Sequence, residues 1–131
     1  MKSARGTFSL EWQGDILCLK LVGNCGLPLV QQLRQEAAQA WTARGPQPWG
    51  MFTDLTRFEG ITPEALQAIW AILEEAIDHG MTAATDIRSP GHFRVTPTQT
   101  LQHIASRTHF QPSANLDEAM AWFSARGLRT A

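Results

Sequence analysis

Three segments of this chain open on a proline, at Pro28, Pro63 and Pro97, and then space apolar residues three and four apart. Proline fits the first turn of a helix because its missing N–H would have no partner there, and it fits the interior of a helix badly. Residues 28–44 carry the stripe Val30, Leu33, Ala37, Ala40 and Trp41, closed by Gly45. Residues 63–79 carry a wider stripe through Leu66, Ile69, Trp70, Leu73, Ala76 and Ile77, with Thr62 as N-cap and Gly80 as the stop. A third helix is predicted from Thr96-Pro97-Thr98-Gln99, a capping box, with Leu101, Ile104 and Ala105 turned inward. A fourth opens on Asn115 with Glu118 three residues on, and runs through Leu116, Ala119, Met120 and Phe123 to Gly127.

Short apolar runs at 48–55, 81–87 and, more weakly, 107–110 separate these helices. Strand–helix alternation implies parallel strands joined by right-handed crossovers. Ahead of them, residues 6–13 and 15–22 read as two strands around the turn Gln13-Gly14-Asp15, and Gly23-Asn24-Cys25-Gly26 reads as the break that ends the second. The predicted fold is α/β: a single mixed, mostly parallel sheet with four helices, in the order ββαβαβα(β)α. At 131 residues, the chain is read as one domain, 1–131.

Charge excludes several roles. A net charge of −1 and a pI near 6.4 argue against nucleic-acid binding. No apolar run approaches the ~18 residues of a membrane span, and the N-terminus lacks the apolar core of a signal peptide, so the expected compartment is the cytoplasm. The charges are also segregated. One Arg faces six acids over 54–78, whereas three Arg and three His accompany a single acid over 86–109.

Two cysteines, Cys18 and Cys25, have no metal-ligand or redox spacing; Cys18 reads as a small buried hydrophobe and Cys25 as a thiol exposed in a turn. The four histidines form no metal-binding motif, and no nucleophile elbow, phosphate loop or dinucleotide fingerprint occurs. No metal and no cofactor is expected. Five Trp stand beside no Tyr; most read as core, with Trp12 and Trp122 left as candidates for a patch that pairs two subunits.

The stretches Gly6-Thr7-Phe8-Ser9-Leu10, 16–23, Pro48-Trp49, Asp54-Leu55, Gly60-x-Thr62-Pro63-Glu64-Ala65 and Glu118-Ala119-x-Ala121-Trp122 together resemble the bacterial SpoIIAA-like group, also called STAS/SEC14-like. The resemblance covers nearly the whole chain and implies a STAS-type fold like that of anti-sigma-factor antagonists. In those antagonists the helix after the third strand begins with an Asp-Ser pair whose serine is phosphorylated by a partner kinase. Counted from Asp54, that pair falls on Thr62-Pro63, so neither the acid nor the serine is present, and the phosphoswitch is not carried over.

In an open α/β sheet, ligands and partners gather outside the carboxyl ends of the parallel strands. The sequence places Asp54, Arg57 and Glu59 after the third strand, Thr62 at the next helix start, and Arg88, His92 and Arg94 after the fourth. Helix dipoles and arginines at such an edge suit an anionic group; the competing structural reading is that Arg57 and Arg88 only neutralise Asp54 and Glu59. The first functional reading is therefore a non-enzymatic regulatory module of STAS type that binds protein partners, with a small anionic ligand also admissible. The second is a small-molecule or lipid carrier with an apolar cavity under the helices. The third is an enzyme, for which Asp54 and His92 are the one pair that could be nominated. A homodimer through the first strand, a sheet edge, is left open.

Overall fold

The computed structural model describes residues 6–88 and 108–131. Five strands form one mixed sheet in the order of the chain: β1 (Thr7–Gln13), β2 (Ile16–Cys25), β3 (Trp49–Ile61), β4 (Met81–Arg88) and β5 (His109–Pro112). β1 runs antiparallel to β2, and β2 to β5 are parallel. Three helices accompany them among the described residues: α1 (Leu27–Arg44), α2 (Pro63–Asp78) and α3 (Leu116–Ala125). The helix predicted from Thr96 lies outside the described residues.

The sheet buries both faces unequally. On the front, Leu17, Leu19 and Leu21 of β2, Trp49 and Met51 of β3 and Ala84 of β4 form one core with Val30, Leu33, Ala37 and Trp41 of α1 and Ala65, Ile72 and Ala76 of α2. On the back, Ile16, Phe52, Ala83 and Ile87 meet Ala119 and Phe123 of α3, with Leu128 beyond it. The alternation of β2 thus feeds two cores, because successive side chains of a strand point to opposite faces. β1 has only its front side covered: Phe8, Leu10 and Trp12 pack inward while Thr7, Ser9, Glu11 and Gln13 are exposed.

The β1–β2 hairpin closes through Gly14-Asp15, with Gln13 paired to Ile16. Its single positive φ, +61° at Gly14, is the pattern of a type II′ turn. A Cβ at Gly14 would also stand 2.6 Å from the Arg129 carbonyl, because the C-terminal tail crosses this turn.

Two expected strand ends are overruled. The glycine-rich segment 23–26 does not break β2, which continues to Cys25; Gly23 takes φ +77° and the pairing with β3 shifts register there. β3 does not stop at Leu55 but runs to Ile61, with a second register shift between the Lys20 and Val22 pairings. Bulges bend a strand without ending it, so polar and charged residues that read as a loop are strand residues here.

Helix starts follow the sequence closely. The Thr62 hydroxyl accepts a hydrogen bond from the Ala65 amide at 3.2 Å, and the Asn115 side chain accepts one from the Glu118 amide at 2.8 Å. Removing the first cap, Thr62→Ala, is expected to lower stability by about 1 kcal/mol. Urea denaturation of the two proteins checks that value.

Candidate functional site

The carboxyl end of the sheet is stepped. The last β3–β4 pair is Leu55 with Arg88, while 56–61 of β3 pair only with β2 among the described residues. Among the described residues a β2–β3 ribbon, still flanked by β1 as far as the Thr7–Val22 pair, therefore runs past Arg88 of β4 and leads directly into α2. Arg57 lies opposite Val22 on this ribbon, and Glu59 is the extra residue between the Phe58–Gly23 and Gly60–Asn24 pairs. Both are exposed, as is Thr62 at the ribbon's tip. The Thr62 amide donates to the Cys25 carbonyl at 3.2 Å, which ties the end of β2 to the start of α2.

Asp54 sits on the strand itself. It lies within β3, opposite Lys20, and its Oδ1 accepts from the Thr56 amide at 2.9 Å and from the Thr56 hydroxyl at 2.6 Å. The carboxylate thus satisfies backbone that the bulge takes out of the ladder, a structural use for an acid at this position. Arg88 is the last residue of β4 and stands one register step from Asp54. His92 and Arg94 lie outside the described residues. The backbone therefore gathers Asp54, Arg57, Glu59, Thr62 and Arg88 at one end of the sheet, all but Thr62 on strands rather than in the two predicted loops.

The expectations for the cysteines and for the tryptophan patch change. Cys25, read as an exposed turn thiol, is 2 % exposed in the front core, while Cys18 is the half-buried one. Burial and the facing Glu11 push the Cys18 thiol up to about 11, and burial raises that of Cys25. Both are free thiols with little thiolate at neutral pH, so labelling by a disulfide reagent at pH 8 should run many-fold slower in the folded protein than in urea. Labelling of folded protein as fast as unfolded would contradict that burial.

Trp12 and Trp122 do not share a patch. Trp12 joins the front core edge-on to Trp49 at 5.5 Å, whereas Trp122 packs at the back beside Phe123, under the Arg126 guanidinium. On α2, Glu75 accepts two hydrogen bonds from Arg34 and joins α2 to α1.

Two further features lie away from that surface. The first is an apolar cavity of about 120 Å³ between α1, α2 and the front of the sheet. Leu21, Leu33, Phe58, Ile69, Leu73 and Phe110 supply carbon walls, and Thr53 and Asp86 supply polar groups. The available signal is an acid, Asp86, inside the otherwise uncharged run 81–87; it is 8 % exposed. The second lies at the opposite end of the sheet. Asp15 Oδ1 accepts from Arg44 at 2.5 Å and from the Arg129 side chain at 3.1 Å, and Oδ2 accepts from the Arg129 amide at 2.8 Å. These donors, Arg129 above all, hold the Asp15 carboxyl far below the usual carboxylate range.

Among the described residues, no three His, Cys, Asp or Glu converge on a common point, and no helix is long and apolar enough to cross a membrane. No protein-family model and no curated protein sequence matches the chain. Solved structures do. An uncharacterised protein with a SpoIIAA-like fold from Shewanella loihica superposes with a TM-score of 0.66 at 16% identity, over 93% of this chain and 98% of that one.

The chain has a SpoIIAA-like, STAS-type fold.

An anti-sigma factor antagonist from Mycobacterium paratuberculosis matches it with a TM-score of 0.57 at 16% identity, over 90% of this chain and 93% of that one. The anti-sigma factor antagonist SpoIIAA in its unphosphorylated form gives 0.58 at 14%, over 94% and 99%. A SpoIIAA-like fold kept at such low identity is what pattern-driven folding allows. Alternating strands and capped amphipathic helices fix the layers, and many side-chain sets of the right volume fill them.

Proposed function

We propose that this chain is a non-enzymatic regulatory module of the cytoplasm that docks a protein partner on the stepped end of its sheet. The observation that carries this reading is the β2–β3 ribbon, which holds Arg57 and Glu59 exposed on a rigid element beside the exposed Thr62. Fixed charges of both signs suit a protein surface of complementary pattern, since they set orientation and discriminate against wrong partners. The SpoIIAA-like neighbours described as anti-sigma factor antagonists make a protein partner the natural comparison. Against the catalytic reading of Asp54, its carboxylate is already engaged with Thr56. Asp54 and Arg88 frame the base of the ribbon in this reading, and His92 and Arg94 are assigned to the same surface from sequence.

The test is capture from a lysate of the source cells with the wild-type chain and with a charge-reversed Arg57→Glu/Glu59→Arg variant, both verified as folded. A partner retained by the wild type and lost by the variant supports docking at the ribbon. Equal retention by both, or no partner at all, overturns it.

A further inference from the structure

We propose that the cavity between α1, α2 and the sheet is a binding site for a small neutral apolar molecule, about the size of one six-membered ring. It goes beyond partner docking and shares no residue with the Arg57, Glu59 and Thr62 surface. Three observations converge on this class of ligand. The first is size: about 120 Å³ compares with the roughly 150 Å³ of an engineered apolar cavity that stays dry and takes up benzene. A void of this kind withholds dispersion contacts from every side chain around it, and an occupant of matching shape restores them.

The second observation is composition. Leu21, Phe58, Ile69, Leu73 and Phe110 come from four different elements and present carbon to a common space. The third is charge. The described lining holds no Lys, Arg or His. An anionic head placed there would lose water with no cation of the described lining to receive it, which is unfavourable. The polar residues of the described lining are few: Thr53, Asp86 and Thr85, whose hydroxyl is already bonded to Ser113, so at most one small hydroxyl is accommodated. A ligand of neutral ring or short-chain type is thus selected over a carboxylate of the same shape.

The experiment is a methyl-resolved NMR titration of the full chain with toluene, benzyl alcohol and benzoate as separate probes. Toluene and benzyl alcohol are expected to give saturable shifts at the Leu21, Ile69 and Leu73 methyls, with Leu128 in the back core unmoved. Benzoate is expected to bind at least tenfold more weakly. Filling the space with Ala84→Leu, or with Leu73→Trp should the first variant misfold, is expected to abolish the toluene response while the spectrum keeps its native dispersion. No saturable response up to the solubility of toluene would overturn the site. So would shifts spread equally to Leu128, or full binding by a folded filled variant. Benzoate binding as tightly as toluene would overturn the ligand class.

Discussion

Replacing Trp49 by alanine is expected to lower stability by about 3–5 kcal/mol, at the upper end of that range, a larger loss than truncating any other side chain of the front core. Trp49 is fully buried and stands at the centre of an aromatic group. Trp41 stacks on it at 5.8 Å, Trp12 meets it edge-on at 5.5 Å, and its indole N–H donates to the His79 carbonyl at 3.0 Å. His79 in turn stacks on Trp41 at 5.5 Å, so β1, α1, β3 and the end of α2 converge on one ring. Alanine there removes the contacts of β3 with the other three elements and strands a carbonyl at the close of α2. Trp49→Phe separates the two contributions: it keeps most of the packing and loses the hydrogen bond, whose net worth is about 0.5–1.5 kcal/mol. Urea midpoints at unchanged slope measure both variants. A loss below about 1 kcal/mol for Trp49→Ala would show that the ring does not bind these elements together.

Asp15→Ala is expected to cost about 2–3 kcal/mol and to change how stability depends on pH. Loss of one partner of a buried pair runs to about 3–5 kcal/mol because the other charge is left uncompensated. Here the figure is smaller. The Arg129 side chain is 71% exposed and recovers water, while Arg44, 13% exposed, keeps its hydrogen bond to the Pro48 carbonyl and its place 5.0 Å from the Trp12 ring. The pH dependence follows from the Asp15 carboxyl, which its arginine donors hold below its unfolded value. A group with a depressed folded pKa stabilises in full above the unfolded pKa, and that contribution drains away as pH falls toward the folded one. The gap between wild type and Asp15→Asn should therefore be constant from pH 8 to about pH 5, then close below about pH 4. A gap that widens in acid would reverse the assignment. Asp15 also fastens the C-terminal tail, with Gln13 donating to the Thr130 carbonyl alongside it. Loss of the carboxylate should accordingly expose residues 128–131 to hydrogen exchange first.

Local pattern is enough for the elements and their order. The capped starts at Thr62 and Asn115, the stripe of α1 and the alternation of β2 are set by residues within a few positions of one another, and they are legible for that reason. On α2 the buried face is rotated, centring on Ala65, Ile72 and Ala76, of which only Ala76 belongs to the predicted stripe. The resemblance carried by the same stretches holds at the level of the SpoIIAA-like fold. Strand ends mislead where a strand tolerates what a loop prefers. Gly23 with positive φ, and a bulge whose freed amide is taken up by Asp54, let β2 and β3 run on through segments whose composition signals a turn. The candidate site is legible only as a set of residues: Arg57, Glu59 and Thr62 do share one end of the sheet, but their seat on a ribbon that runs past β4 follows from that same bulge.

Hydrophobic period and capping act over one or two turns of chain, so they suffice for a layered α/β domain and for the apolar faces of its helices and strands. They do not reach further. That Asp15 meets Arg129 across most of the chain, that three tryptophans and a histidine share one cluster, and that an apolar space remains beneath α1 and α2 are all settled by packing. Each depends on how separate elements close upon one another, at distances that no local spacing encodes.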